Sequence, residues 1–135
     1  LKKEKEKTLK DFFLLEILSA KGKYLEWLDV FVRAYCTGTI GKNAIHKYYQ
    51  MTQICYRRNL YLEIIGSAKK LLEDAVLGDD EKKQILHIWG KSAYGNNDLK
   101  EVKLCVDSIE SAEYTNHPFL LWYREHIGNS TGDSV

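Results

Sequence analysis

Apolar residues recur along this chain at steps of three and four, the period of a helix with one buried face. Residues 1–8 mix charges of both signs without apolar spacing. Regular order starts at Leu9, Phe12, Phe13, Glu16 and Ile17, which predicts a first helix ending near Gly22. A second helix is expected from about Tyr24 to Thr37, with Leu25, Leu28, Phe31, Val32 and Tyr35 on one face and Gly38 as its stop. A third runs from about Gly41 to Tyr56 through Ile45, Tyr48, Tyr49, Thr52 and Cys55, and the polar trio Arg57, Arg58 and Asn59 marks a turn. The fourth, from about Asn59 to Leu77, carries Leu62, Ile65, Leu72, Ala75 and Val76, after which Gly78, Asp79 and Asp80 supply a stop and the next N-cap. A fifth spans about Glu81 to Tyr94, with Ile85, Ile88 and Trp89 inward, and Gly95, Asn96 and Asn97 break it. Asp98 followed by Glu101 has the form of a capping box and opens a sixth helix striped by Val102, Cys105, Val106 and Ile109. Pro118 suits the first turn of a seventh, Phe119 to Ile127.

The pattern therefore predicts an all-α fold of about seven antiparallel helices. It forms one domain over residues 1–128, followed by a flexible tail over 129–135. A length of 135 residues, 44% apolar content and 12% aromatics suffice for a core, and a single Pro leaves the helical runs uninterrupted. Apolar heptads do not persist, so the helices belong to a bundle or a short solenoid and not to a coiled coil. Helix starts near Tyr24, Asn59 and Asp98 are about 35 and 39 residues apart, the spacing of two-helix repeats, which favours a solenoid with a right-handed superhelix.

The stretch WLDVFVRAYCTGTIGKNAIHKYYQM, Trp27 to Met51, resembles one unit of the pentatricopeptide repeat family: Tyr35, Ala44, Tyr48 and Met51 fall at that pattern's first-helix Tyr, second-helix Ala, aromatic and Met. A small Ala44 admits close helix approach, Tyr35 and Tyr48 fill the seam, and Gly38 permits the reversal. Gly38 sits one place early for the family's turn glycine, and no Pro closes the unit near residue 60. A second segment, Leu86 to Ile109, is similar to tetratricopeptide repeat spacing through Trp89, Gly90, Asn97, Asp98, Val102 and Val106. The two resemblances differ in phase. Either the third and fourth helices form one bent rod, or only one of the resemblances marks the repeat.

Composition narrows the functional classes. Lys+Arg 20 against Asp+Glu 19 gives a net charge of +1, so no global pull toward nucleic acid or anionic membrane is expected. No apolar run is long enough for a membrane span. Three cysteines, Cys36, Cys55 and Cys105, lie far apart in no paired motif, and an odd count points to an intracellular, reducing compartment. Asn129, Ser130 and Thr131 form a glycosylation sequon that such a compartment leaves unused. His46, His87, His117 and His126 show no metal-ligand spacing, Gly38 to Lys42 lacks the glycine spacing of a phosphate loop, and no catalytic, cofactor or metal site is expected.

The reading that results is a non-catalytic interaction module or scaffold, with another protein or peptide as partner. The final helix, apolar all round, provides Phe119, Trp122 and Tyr123 as candidate anchors. The alternative follows from the pentatricopeptide resemblance, which implies single-stranded RNA binding, often in mitochondria, with Asp29 at the base-reading position. Arg33, Lys42, Lys47, Arg57 and Arg58, with Lys69 and Lys70, would then meet phosphates, and Tyr48, Tyr49 and Tyr56 would stack on bases.

Overall fold

The computed structural model describes residues 2–128. Over that span seven α-helices follow one another: α1 (Lys2–Ala20), α2 (Tyr24–Thr37), α3 (Ile45–Arg57), α4 (Tyr61–Asp74), α5 (Asp79–Gly95), α6 (Leu99–Ser111) and α7 (Pro118–Tyr123). A 3-10 turn, Lys42–Ala44, leads into α3, and a π-helical turn, Arg124–Gly128, follows α7. Among the described residues there is no strand. The tail and sequon at 129–135 lie outside the described residues.

The turns form where local chemistry demands them. Gly38 ends α2 in the left-handed conformation at φ 79°, and the Thr39 N–H reaches back to the Ala34 carbonyl at 2.9 Å, satisfying the last turn. Asn59 does the same after α3 at φ 62°, with the Leu60 N–H on the Cys55 carbonyl at 3.0 Å, so α3 and α4 are two helices and not a bent rod. Asp98 caps α6 by accepting from the Glu101 N–H at 3.1 Å. The reciprocal half of that capping box is replaced by a tertiary contact: the Glu101 carboxylate accepts from Trp89 Nε1 at 2.8 Å and pairs with Lys69 at 3.1 Å. Pro118 opens α7 after His117.

Several boundaries depart from the sequence reading; the α-helical part of α7 ends at Tyr123, not Ile127, and that of α3 starts at Ile45, not Gly41. α1 begins at Lys2, because Lys and Glu are good helix formers and a helix anchored farther along propagates cheaply backward. α4 stops at Asp74 where Ala75 turns extended, so Val76, expected on a buried helical face, is 87% exposed. α5 instead starts early, at Asp79. The inward face of α1 also differs from expectation. Leu15, Leu18 and Asp11 are buried, whereas Leu9, Phe13 and Ile17 point outward, with Phe13 58% exposed. Asp11 decides the orientation: its carboxylate accepts from Thr39 Oγ1 at 2.6 Å and faces Arg33 at 3.5 Å, tying α1 to the end of α2.

Consecutive helices pack as neighbours, most extensively α4 on α5 and α5 on α6. Alternate helices also touch: α2 on α4, α3 on α5, α5 on α7. The core runs through all of them. An aromatic ladder, Trp27 on Phe31 at 5.0 Å, Phe31 on Tyr35 at 5.6 Å and Phe31 on Tyr48 at 5.2 Å, fills the α2/α3 seam. The buried Tyr48 hydroxyl bonds Ser67 Oγ at 2.6 Å and so ties α3 to α4. Its burial pushes the phenol well above its ordinary range.

Candidate functional site

Packing α2 on α4 leaves a groove of about 750 Å³ between their outer faces. Leu28 and Val32 form its apolar floor, the half-exposed Leu25 stands at the α2 side, and Gly66, with no side chain, keeps the α4 side open. A Cβ added at Gly66 would meet nothing within 4 Å. Four charges line the groove: Asp29 and Arg33 from α2, Glu63 and Lys70 from α4. The two cations are already engaged within the chain, Arg33 with Asp11 at 3.5 Å and Lys70 with Asp74 at 2.6 Å. Asp74 also holds the Lys70 ammonium above its ordinary range. Asp29 and Glu63 have no ion-pair partner among the described residues. The uncompensated charge in an apolar cleft is therefore negative, and a cationic group on an apolar carrier suits it best.

The sequence-predicted residues scatter over several faces. Asp29 and Arg33 share the α2/α4 groove. Lys42 stands exposed on the 3-10 turn. Lys47 lies across the molecule's α1/α3 cleft, paired with Glu16 at 3.1 Å and set over the Phe12 ring at 4.5 Å. Arg57 lines a separate groove between α3 and α5, and Arg58 lies over Tyr24 at 4.8 Å. Tyr48 is fully buried and offers no face for stacking, while Tyr49 and Tyr56 are half-buried.

Phe119 is also core: it is 5% exposed, with its ring pressed on Gly90 of α5. Trp122 and Tyr123 are half-buried. Trp122 stacks on Phe119 at 5.5 Å and on His126 at 5.3 Å and receives the edge of Tyr94 at 4.8 Å. α7 thus closes the α5/α6 end with Phe119 and Leu120 and leaves Leu121 outward.

Glu63, Gly66 and Ser67 were not singled out in the sequence. Their signal was a stripe of small and charged residues at three- and four-residue steps along α4, which gains meaning once α2 is known to lie beside it.

Burial disfavours the thiolate at all three cysteines. Burial raises Cys55 to about 11 and Cys105 to about 12, and Cys36, beside the groove, is also raised, by burial first and then by Asp74. Among the described residues no group of three or more His, Cys, Asp or Glu is placed to hold a metal ion, and no helix is long and apolar enough to cross a membrane. No family model, curated protein or solved structure matches the chain.

Proposed function

We propose that this chain is a non-catalytic interaction module of stacked helical hairpins, which holds a polypeptide segment bearing a basic residue in the α2/α4 groove. The carrying observation is that groove, with an apolar floor and two carboxylates, Asp29 and Glu63, that form no ion pair among the described residues. The hairpin reading is supported by the contacts between alternate helices and by starts at Tyr24, Tyr61 and Leu99, 37 and 38 residues apart. In this phase α2/α3, α4/α5 and α6/α7 are the pairs, which favours the Trp27 to Met51 resemblance over the later one. Grooves between first helices of successive hairpins are where such arrays present a concave face to peptides.

One observation favours single-stranded RNA as the second reading: Asp29, the position the pentatricopeptide resemblance implies for base reading, lines this same groove beside Arg33. Against it weighs the engagement of both groove cations, since phosphate binding needs cations free to release counterions. One experiment separates the two. Peptides selected from a random display library and a pooled single-stranded RNA are titrated against the wild type, Gly66→Leu and Asp29→Asn/Glu63→Gln. The peptide reading expects selected sequences with Lys or Arg beside apolar residues and about tenfold weaker binding by both variants, equal to ~1.4 kcal/mol. RNA binding lost with Gly66→Leu, and no peptide enrichment, would replace it.

A further inference from the structure

The groove between α3 and α5 shares no residue with the α2/α4 groove and has the opposite electrical character. Its lining includes Arg57 of α3 and Lys91 and His87 of α5, and no carboxylate. Neither cation has an ion-pair partner among the described residues, unlike Arg33, Lys47, Lys69, Lys70, Lys103 and Arg124. Lys91 is instead held over the Tyr56 ring at 4.9 Å, which fixes its stem at the groove edge.

Ser92 provides an independent observation. It is 2% exposed, lines the groove, and its hydroxyl makes no hydrogen bond among the described residues. A serine inside a helix can bond back to the carbonyl one turn earlier, as Ser108 does to Leu104 at 3.1 Å; Ser92 does not. Nor is its oxygen sealed from solvent as the unpartnered Tyr35 hydroxyl is. Because Ser92 lines the groove, an acceptor entering there would be the partner that the fold withholds.

We propose that the α3/α5 groove is a binding site for a phosphate monoester, with Arg57, Lys91 and the Ser92 hydroxyl as donors to its three terminal oxygens. Two full charges and a neutral hydroxyl arranged around one space suit a tetrahedral dianion better than a planar carboxylate. The half-open groove, with a volume of about 120 Å³, has room for one tetrahedral oxyanion and the first atoms of its carrier. His87, which contacts His117 at 6.2 Å and Phe119 at 6.4 Å through its ring, adds a titratable group at the same wall. The groups facing it are His117 from the turn before α7, Lys91 on its own helix and Arg57 across the groove. All are neutral or positive, so a bound dianion would draw a proton onto it.

The test is an amide and histidine NMR titration of the whole chain with inorganic phosphate, O-phosphoserine, and a phosphoserine peptide beside its unphosphorylated twin, at constant ionic strength set with chloride. Saturable shifts centred on Gln53, Arg57, Lys91 and Ser92 are expected. So are a rise of the His87 titration midpoint on binding and about tenfold weaker binding in Arg57→Gln and Lys91→Gln. Both substituted side chains are exposed, so folding is preserved, and Lys100→Gln on α6 serves as a control that binds normally. Ser92→Ala should weaken binding several-fold without moving the other shifts. Shifts from all three phosphate probes assign the site to the monoester itself. Shifts from the peptide alone assign it to a phosphorylated side chain. No saturable shifts with any of the phosphate probes, shifts that chloride reproduces, or a His87 midpoint that does not rise would overturn the proposal.

Discussion

Gly90 and Gly66 sit inside neighbouring helices, and replacing each with Ala should move stability in opposite directions. An Ala in a helix interior is worth about 0.8–1.0 kcal/mol over Gly when nothing else changes. At Gly66 nothing lies within 4 Å of the new Cβ, so Gly66→Ala should stabilise by ~0.5–1 kcal/mol. At Gly90 the Cβ would fall 2.5 Å from Cε2 of Phe119 and 2.7 Å from its Cδ2 and Cζ. Ordinary contact begins about an ångström farther out. The ring cannot simply swing away, because Trp122 stacks on it at 5.5 Å and the backbone N–H of Phe119 is held by His117 Nδ1 at 3.1 Å. The clash must be relieved by shifting α7, and overpacking of this kind costs ~1–3 kcal/mol. Setting the propensity gain against the upper part of that range leaves Gly90→Ala destabilised by ~1–2 kcal/mol. Urea unfolding followed by circular dichroism should separate the two variants by about 0.5–3 M in midpoint, given a slope of ~1–3 kcal/mol/M. A double-mutant cycle isolates the cause: in a Phe119→Ala background, Gly90→Ala should lose its penalty. A Gly90→Ala protein as stable as the wild type, or a penalty unchanged by Phe119→Ala, would refute the reasoning.

Three further outcomes follow from the same contacts. His117 accepts from the Phe119 N–H through Nδ1, so its proton sits on Nε2 and is donated to the Lys83 carbonyl at 2.8 Å; burial lowers its pKa and that of His87, which His117 and Lys91 depress further. With folded values below the unfolded ~6.5, the unfolded chain takes the proton first. Stability should thus be intact above about pH 6.5 and fall as pH drops below it, which urea midpoints at pH 7.5 and 5.5 will check; an equal or higher midpoint at 5.5 contradicts it. Tyr48→Phe removes the bond to Ser67 but leaves Ser67 on the Ile64 carbonyl at 2.8 Å. A cost of ~0.5–1.5 kcal/mol is expected in the same assay, and a cost above ~3 would mean the hydroxyl does more than bridge α3 to α4. Thiol titration with an aromatic disulfide should modify half-buried Cys36 well before Cys55 and Cys105, whose burial disfavours the thiolate, and equal rates at all three would show that the core opens readily.

The helix count and most turns were legible because each rests on local chemistry: a left-handed residue at Gly38 and Asn59, a side-chain cap at Asp98, a Pro at the first position of α7. The face of α1 was not, because that helix carries two apolar stripes. The choice between Leu15/Leu18 and Leu9/Phe13/Ile17 is made by Asp11 meeting Thr39, a contact 28 residues away. Phe119 read as an exposed anchor because α7 is apolar all round. The vacancy that receives its ring is the missing side chain of Gly90, and nothing near Phe119 in sequence announces that glycine.

The net charge of +1 is where sequence reasoning averaged away the most information. It disfavoured anionic ligands for the chain as a whole, yet charge acts where it is not already paired. The alternation of helix contacts gives α2 and α4 one groove and α3 and α5 another. Among the described residues, Asp29 and Glu63 form no ion pair in the first, nor do Arg57 and Lys91 in the second. Within about 10 Å, the screening length at moderate salt, each groove is felt as its own sign and not as the sum. A near-neutral chain can therefore present an anionic cleft and a cationic one at once. The two ligands proposed for them should both weaken as salt rises, each losing affinity with the charges of its own groove and unaffected by neutralising those of the other.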